Sequence, residues 1–458
     1  MKKLIGPWKF YKKTLVIAIP VMIQNLITNF VAMIDNIMVG QVGTEQMTGV
    51  AIVNQLFFVF NLAIFGAISG AGIFCAQFFG KKDYEGVQNT FRFKLITAVI
   101  VTALGIVCFS VFGDSLIRSY LHDADKGIDL ELTFLSAKQY MLIMFAGFIP
   151  FAIEQAYSGT LREGSIATPP MVAGIIAVIT NTVLNYCLIF GVGIFPKLGV
   201  GGAAIATVIS RYVQAGVVIL WTHSNSKKLG YVKGLYRTLR VPAKLVKAII
   251  LKGSILLTLN ETLWGAGVAA LAQCYSLRGI DVVAGLNIAN TVINLFNVMF
   301  IAFGSGVAVV IGQMLGANEF DEAKEAAPKL IFFSTVMCVV VGACMACFSK
   351  VFPQVYNTSD GVRQLATVFI LISAATMPIH GALHAAYFTL RSGGKTLITF
   401  IFDSGFSWLI SVPLAFCLAH FTRLDIMAIY SVMQITELGK CFMILMLIKK
   451  GVWITKIV

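Results

Sequence analysis

Nine ionisable side chains lie inside apolar stretches of this chain: Asp35, Glu154, Arg211, Glu261, His380, His384, Asp403, Glu437 and Lys440. Each costs about 3 kcal/mol or more at the centre of a hydrocarbon layer, so each needs water, a ligand or a partner helix. Glu261 is placed deepest, in Leu259-Asn260-Glu261-Thr262-Leu263-Trp264. Asn287, Asn290, Asn294 and Asn297 follow on one face of the next helix, at i, i+3, i+7 and i+10. A carboxylate opposite an amide stripe suits a hydrated wall where cations exchange; an ion pair within the packing is the competing reading. Trp264, one turn from Glu261, is the aromatic best placed to meet an apolar cation, among 35 phenylalanines that offer further surface.

Asp35 ends a helix strewn with Gln24, Asn25, Thr28, Asn29 and Asn36, and Pro20 gives that helix a hinge. A bendable helix carrying a carboxylate suits a gate driven by a proton or sodium ion, because neutralising the acid changes the cost of keeping it from water. On the other reading, Asp35 simply marks the membrane edge before Gly40-Gln41-Val42-Gly43. Asn181 and Asn185, one turn apart, are candidates to complete its pocket, although buried asparagines also join helices. His380 and His384 occupy adjacent turns after Pro378. HxxxH is a zinc spacing, but no third ligand is placed to close a site and no metal is expected. A titrating relay with Glu261 and a hydrogen-bonded core pair both remain open. Glu437 and Lys440 neutralise one another at i, i+3, Arg211 has only Glu154 as a candidate partner, and Asp403 serves helix packing equally well.

The elements that must position these groups are membrane helices. The chain is 58% hydrophobic and 12% charged, with a mean hydropathy of +0.85, a balance that requires lipid as solvent. Twelve apolar runs of spanning length occur at approximately 14–37, 46–79, 89–112, 133–160, 168–192, 200–222, 245–273, 282–315, 327–349, 363–390, 396–420 and 424–448. Residues 49–80 and 285–317 are two versions of one segment: Gly49 pairs with Gly285, Asn54 with Asn290, Asn61 with Asn297, Gln77 with Gln313 and Gly80 with Gly316. Leu161-Arg162 is likewise echoed by Leu390-Arg391. Two similar halves, 1–222 and 245–458, joined by a basic linker at 223–244, are the build of a carrier. Asn54, Asn61, Asn287, Asn290, Asn294 and His384 are the polar candidates for lining its cargo path.

The net charge of +14 reports orientation rather than nucleic-acid binding. Lys2, Lys3, Lys9, Lys12 and Lys13, then Lys81 and Lys82, the linker and Lys449, Lys450 and Lys456 alternate with loops poor in Lys and Arg. The segment 113–131 is acidic, through Asp114, Asp123, Asp125, Asp129 and Glu131. This places both termini in the cytoplasm, in a multi-pass plasma membrane protein. No cleavage site follows the first apolar run, so that helix is expected to be retained. The nine cysteines show no zinc spacing, and GxxxxGK[ST] is absent, so an ion gradient rather than ATP bound here is the expected energy source.

With Pro20 and Asp35 preceding Val39-Gly40-Gln41-Val42-Gly43, and Pro196-Lys197-Leu198-Gly199-Val200-Gly201-Gly202-Ala203-Ala204-Ile205-Ala206-Thr207 entering the sixth helix, the chain resembles the multidrug and toxic compound extrusion (MATE) family over essentially its whole length. The resemblance implies an all-α membrane protein of twelve helices in two pseudo-symmetric, V-shaped six-helix bundles. It implies antiport of organic cations or drugs against H⁺ or Na⁺ by alternating access, with no cofactor beyond the transported ion, no enzymatic activity, and a monomer among membrane lipids. It assigns cation coupling to Asp35 with Asn181 in one bundle and to Glu261 in the other. Two positions depart from the family's pattern: Asn185 stands where a second acid is often found, which weakens a two-carboxylate site in that bundle, and His380 stands at the family's helix-ten aspartate, which tilts the coupling ion toward H⁺. A flippase for lipid-linked intermediates shares this topology; acids at Asp35 and Glu261 disfavour an anionic headgroup.

Overall fold

The computed structural model describes residues 4–121, 129–356 and 358–458, without the side chains of Ala32, Met33, Asn36, Ile37 and Ile280. Lys2, Lys3, Asp123, Asp125 and the Asn36 side chain therefore lie outside the described residues. The described residues form no strand and contain twelve helices long and apolar enough to cross a membrane. They are α1 (Trp8–Gly40), α2 (Thr44–Lys81), α3 (Tyr84–Tyr120), α4 (Leu130–Glu163), α5 (Thr168–Phe190) and α6 (Val200–Ser224). The remainder are α7 (Ala243–Ser276), α8 (Ile280–Gly316), α9 (Phe320–Phe348), α10 (Asp360–Ser392), α11 (Thr396–Phe421) and α12 (Ile426–Lys450). Hydrocarbon leaves backbone groups no partner but their own helix, so the apolar runs fold this way and the polar punctuation falls between them.

Local chemistry sets the ends. Asp129 caps α4 by accepting from the backbone N–H groups of Glu131 and Leu132, and Asp425 caps α12 by accepting from Met427. Gly191, at φ +72°, ends α5 in the left-handed region that side chains avoid. Three spans are irregular inside. A 3₁₀ turn at Phe145–Gly147 interrupts α4, and π-helical turns occupy Ile250–Ser254 of α7 and both Ile401–Gly405 and Ser407–Ser411 of α11. A π turn inserts a residue and re-aims the side chains on it, and Asp403 lies on one.

The helices gather into two compact units. The amino unit comprises Ile23–Cys75 and Tyr84–Ile250, the carboxy unit Met1–Met22, Ala76–Asp83 and Leu251–Val458. These units cut across the halves read from the repeat. The start of α1 belongs with the carboxy unit because Tyr11 stacks on Phe333 at 4.5 Å and Thr14 lies against Gly306. Helix α1 runs unbroken through Pro20, and the unit boundary falls just beyond it, between Met22 and Ile23. The basic linker belongs with the amino unit. Gln88 donates to the carbonyls of Tyr231 (3.1 Å) and Lys233 (3.0 Å), and Arg92 to those of Leu235 (2.8 Å) and Gly234 (3.0 Å). Burial on this surface pushes the Tyr231 phenol above its ordinary range, with Cys75 and Glu163 adding to it.

The ends of the two duplicated segments meet inside the carboxy unit. A Cβ on Gly80 would overlap the Gln313 carbonyl, and one on Gly316 the Gln77 carbonyl. The glycines repeat because two backbones cross where no side chain fits. Gln77 is fully buried there; its amide donates to Ser392 O (2.9 Å) and Thr455 O (3.2 Å) and accepts from Ile457 N (2.9 Å). Gly80→Ala and Gly316→Ala should each cost about 1–3 kcal/mol through overpacking. By contrast, Gly439→Ala, in α12 with open space around it, should be neutral or stabilise by up to about 1 kcal/mol. Thermal unfolding of the detergent-solubilised variants measures both; a tolerated Gly80→Ala would refute the crossing.

Candidate functional site

In the amino unit, Asp35 near the end of α1 is gripped by the asparagines of α5. Asn185 Nδ2 donates to Asp35 Oδ1 at 2.7 Å. With its amide nitrogen toward the acid, Asn181 donates to both carboxylate oxygens (3.1 and 2.8 Å) and accepts from Thr207 Oγ1 (3.3 Å) on α6. Both asparagines are buried, and Asn185 Oδ1 is a buried acceptor without a hydrogen-bond partner. The Asp35 carboxylate is thus met by amide N–H donors, which ease its desolvation without cancelling its charge, and Thr207 holds the far side of the Asn181 amide. The helical spacing of Asn181 and Asn185 thus delivers two amides to one acid. Thr207 carries no such signal by itself.

The other charges of this unit are disposed differently from the sequence reading. Arg211 does not pair with Glu154. Its Nη1 lies 3.4 Å from Gly147 O, and its guanidinium carbon 5.0 Å from the centre of the Phe151 ring. Glu154 instead accepts from Ser158 Oγ (2.5 Å) and Gln155 Nε2 (2.9 Å), because those donors flank it on its own helix. Asn54 is exposed and accepts from Tyr140 Oη at 3.4 Å, and Asn61 is half-buried.

The carboxy unit holds a larger polar network. Glu261 of α7 faces Arg391 of α10, Oε1 to Nη1 3.7 Å, a loose ion pair beyond hydrogen-bond range. Asn260, one residue earlier and buried, donates to Asp403 Oδ2 (3.0 Å) and Tyr387 Oη (3.1 Å), while Ser404 Oγ donates to Asn260 Oδ1 (2.9 Å). Lys440 does more than neutralise Glu437 on α12: Nζ is 3.6 Å from Glu437 Oε2 but 3.0 Å from Asp403 Oδ1. Asp403 is thus an ion-pair partner. A link between residues 37 apart carries no periodicity, so the spacing gave no hint of it.

The imidazoles sit beside this network. His380 Nε2 meets Gln434 Oε1 at 3.3 Å, and Phe300 packs on both rings, with centroids 4.5 Å from His384 and 6.0 Å from His380. Their close contacts are Gln434 and Phe300, whereas the cation against Glu261 is Arg391. Asn287, Asn290 and Asn294 are exposed along α8, Asn297 is half-buried, and Trp264 is 41% exposed. Arg391 was visible only as part of the Leu-Arg echo, Asn260 only as the neighbour of Glu261, and Tyr387 carried no signal in the sequence.

A third buried charge pair is built for support. Lys94 Nζ, fully buried on α3, meets Glu163 Oε2 at the end of α4 and donates to Thr160 Oγ1 (3.2 Å). Removing one partner strands a charge, at about 3–5 kcal/mol, whereas replacing both strands none. Lys94→Met should therefore lower the midpoint of thermal unfolding markedly, and Lys94→Met/Glu163→Gln should recover most of the loss. Equal losses in the single and double variants would show that the pair is not coupled.

Comparison with known proteins follows the same lines. The MatE family model matches residues 20–187 and 255–417, most of the chain. A probable multidrug resistance protein of Bacillus subtilis, YoeA, is 24% identical over 90% of this chain and 88% of its own length. A probable multidrug resistance protein of Thermotoga maritima, NorM, is 26% identical over 96% and 93%. The crystal structure of a mutant of the Vibrio cholerae MATE transporter VcmN superposes with a TM-score of 0.86, covering 97% of both chains at 15% identity.

Proposed function

The chain belongs to the MatE family of membrane transporters, and we propose that it exports organic cations and drugs in exchange for H⁺ or Na⁺. It is a multi-pass membrane protein and a transporter rather than an enzyme. The proposal extends to a plasma membrane location with both termini cytoplasmic, supported by the Lys and Arg of the linker and both tails. Relatives called probable multidrug resistance proteins support the cargo class. The observation that carries the reading is Asp35 held by two asparagine amides beside an unmatched buried oxygen.

The chemistry follows from solvation. An anionic carboxylate away from bulk water is costly, and a bound proton or sodium ion relieves that cost. An organic cation relieves it as well, so ion and cargo compete for one charge, which is the coupling an exchanger requires. Glu261 supplies the second such acid, since its loose pairing with Arg391 leaves it open to exchange. The exposed Asn54, Asn287, Asn290, Asn294 and Trp264 offer amide and aromatic surface to amphipathic cargo. Pro20 gives α1 a place to bend during alternating access.

Everted membrane vesicles test this directly. An imposed ΔpH or ΔpNa should drive uptake of a fluorescent monocation, and the effective gradient identifies the coupling ion. Asp35→Asn and Glu261→Gln should each reduce gradient-driven uptake at least tenfold at unchanged protein level. Full activity in both variants would remove these acids from the mechanism.

A further inference from the structure

Lys440 has no place in the exchange just described, yet it lies at the centre of the carboxy unit's charge network. The offset that aligns Leu161-Arg162 with Leu390-Arg391 also aligns Arg211 with Lys440, so each half carries one cation at this position of its sixth helix. Arg211 meets a carbonyl and an aromatic ring, whereas Lys440 meets two acids, Asp403 across the helix interface and Glu437 on its own helix. The π-helical turn Ile401–Gly405 presents Asp403, and the Asn260 amide fixes its second oxygen. The Lys440, Asp403 and Glu437 side chains retain 10%, 19% and 21% of their accessibility, so the cluster is sheltered without being sealed.

Counting charge over the network makes the role specific. Glu261, Asp403 and Glu437 face Arg391 and Lys440, whereas His380 and His384 contact Gln434 and Phe300 and form no ion pair with these carboxylates among the described residues, so they are left out of the count. Three carboxylates against two fixed cations leave one negative charge. We propose that Lys440 is a resident counter-cation that sets how many positive charges the carboxy unit takes up in each cycle, holding that number at one. The ammonium occupies the place that a second coupling ion would otherwise fill, because two unneutralised carboxylates in a poorly solvated site would each draw a cation. This inference rests on the ion-exchange reading above and concerns its stoichiometry.

The test is the balance point of transport in proteoliposomes. Ethidium serves as monovalent cargo at a fixed concentration gradient, and membrane potential is clamped at zero with potassium and valinomycin. The ion gradient at which net ethidium flux vanishes gives the coupling charges per cargo. Lys440→Gln should raise that number by one, and Asp403→Asn should lower it by one. Asp403→Asn/Lys440→Gln should return it to the wild-type value, and Lys440→Arg should preserve it. Should Lys440→Gln fail to fold, Asp403→Asn carries the test by itself. A purely structural Lys440 would change stability and leave the balancing ion gradient of every active variant at the wild-type value, and that result overturns the proposal. Wild-type protein that moves no ethidium under either gradient would instead overturn the exchange reading beneath it.

Discussion

A charge inside hydrocarbon must find a counter-charge or a shell of hydrogen bonds, and this requirement organises both units. Its solutions differ in completeness. Lys94 and Glu163 settle it through a close pair supported by Thr160, and such a pair has little reason to open. Asp35 settles it with amide donors alone, which soften the cost of the anion without cancelling its charge. Glu261 settles it with a guanidinium held at a distance. Glu154 likewise has only neutral donors but is buried, whereas Asp35 and Glu261 are half-buried and so better suited to exchange an external cation.

Irregular backbone accompanies this division. The α11 span has spanning length and apolarity, yet π-helical turns occupy much of its first half. An inserted residue costs helix regularity, and here it sets Asp403 and Ser404 toward Asn260 and Asp403 toward Lys440. The polar network repays the distortion, since every group in it would otherwise stand in an apolar span. Close crossing of backbones is the complementary device. At Gly80 and Gly316 two helices approach through carbonyls, and the buried Gln77 amide gathers three backbone groups around the same point.

Sequence offsets described some of this and missed the rest for identifiable reasons. The i, i+4 spacing of Asn181 and Asn185 placed two amides on one helix face, and they reach the acid expected of them. The same periodicity suggested that Lys440 answers Glu437, which holds only at 3.6 Å, because the nearer acid comes from another helix. Arg211 had no obvious partner in the sequence beyond the possibility of Glu154, and the structure gives each a different neighbour. Intra-helix geometry is written in residue spacing; helix-to-helix pairing is not.

What the chain determined by itself was the solvent, the twelve spans, the internal repeat and the identity of the stranded charges. These follow from hydropathy, from the length needed to cross hydrocarbon, and from residue identity at a fixed offset. The tertiary structure decided which charges meet. It assigned the start of α1 to the carboxy unit and the linker to the amino unit, brought Thr207 to Asn181, and set Lys440 against Asp403. The physical reason is that a coulombic partner is chosen by distance across packed helices, and that distance depends on crossing geometry, π turns and glycine contacts that no local spacing encodes.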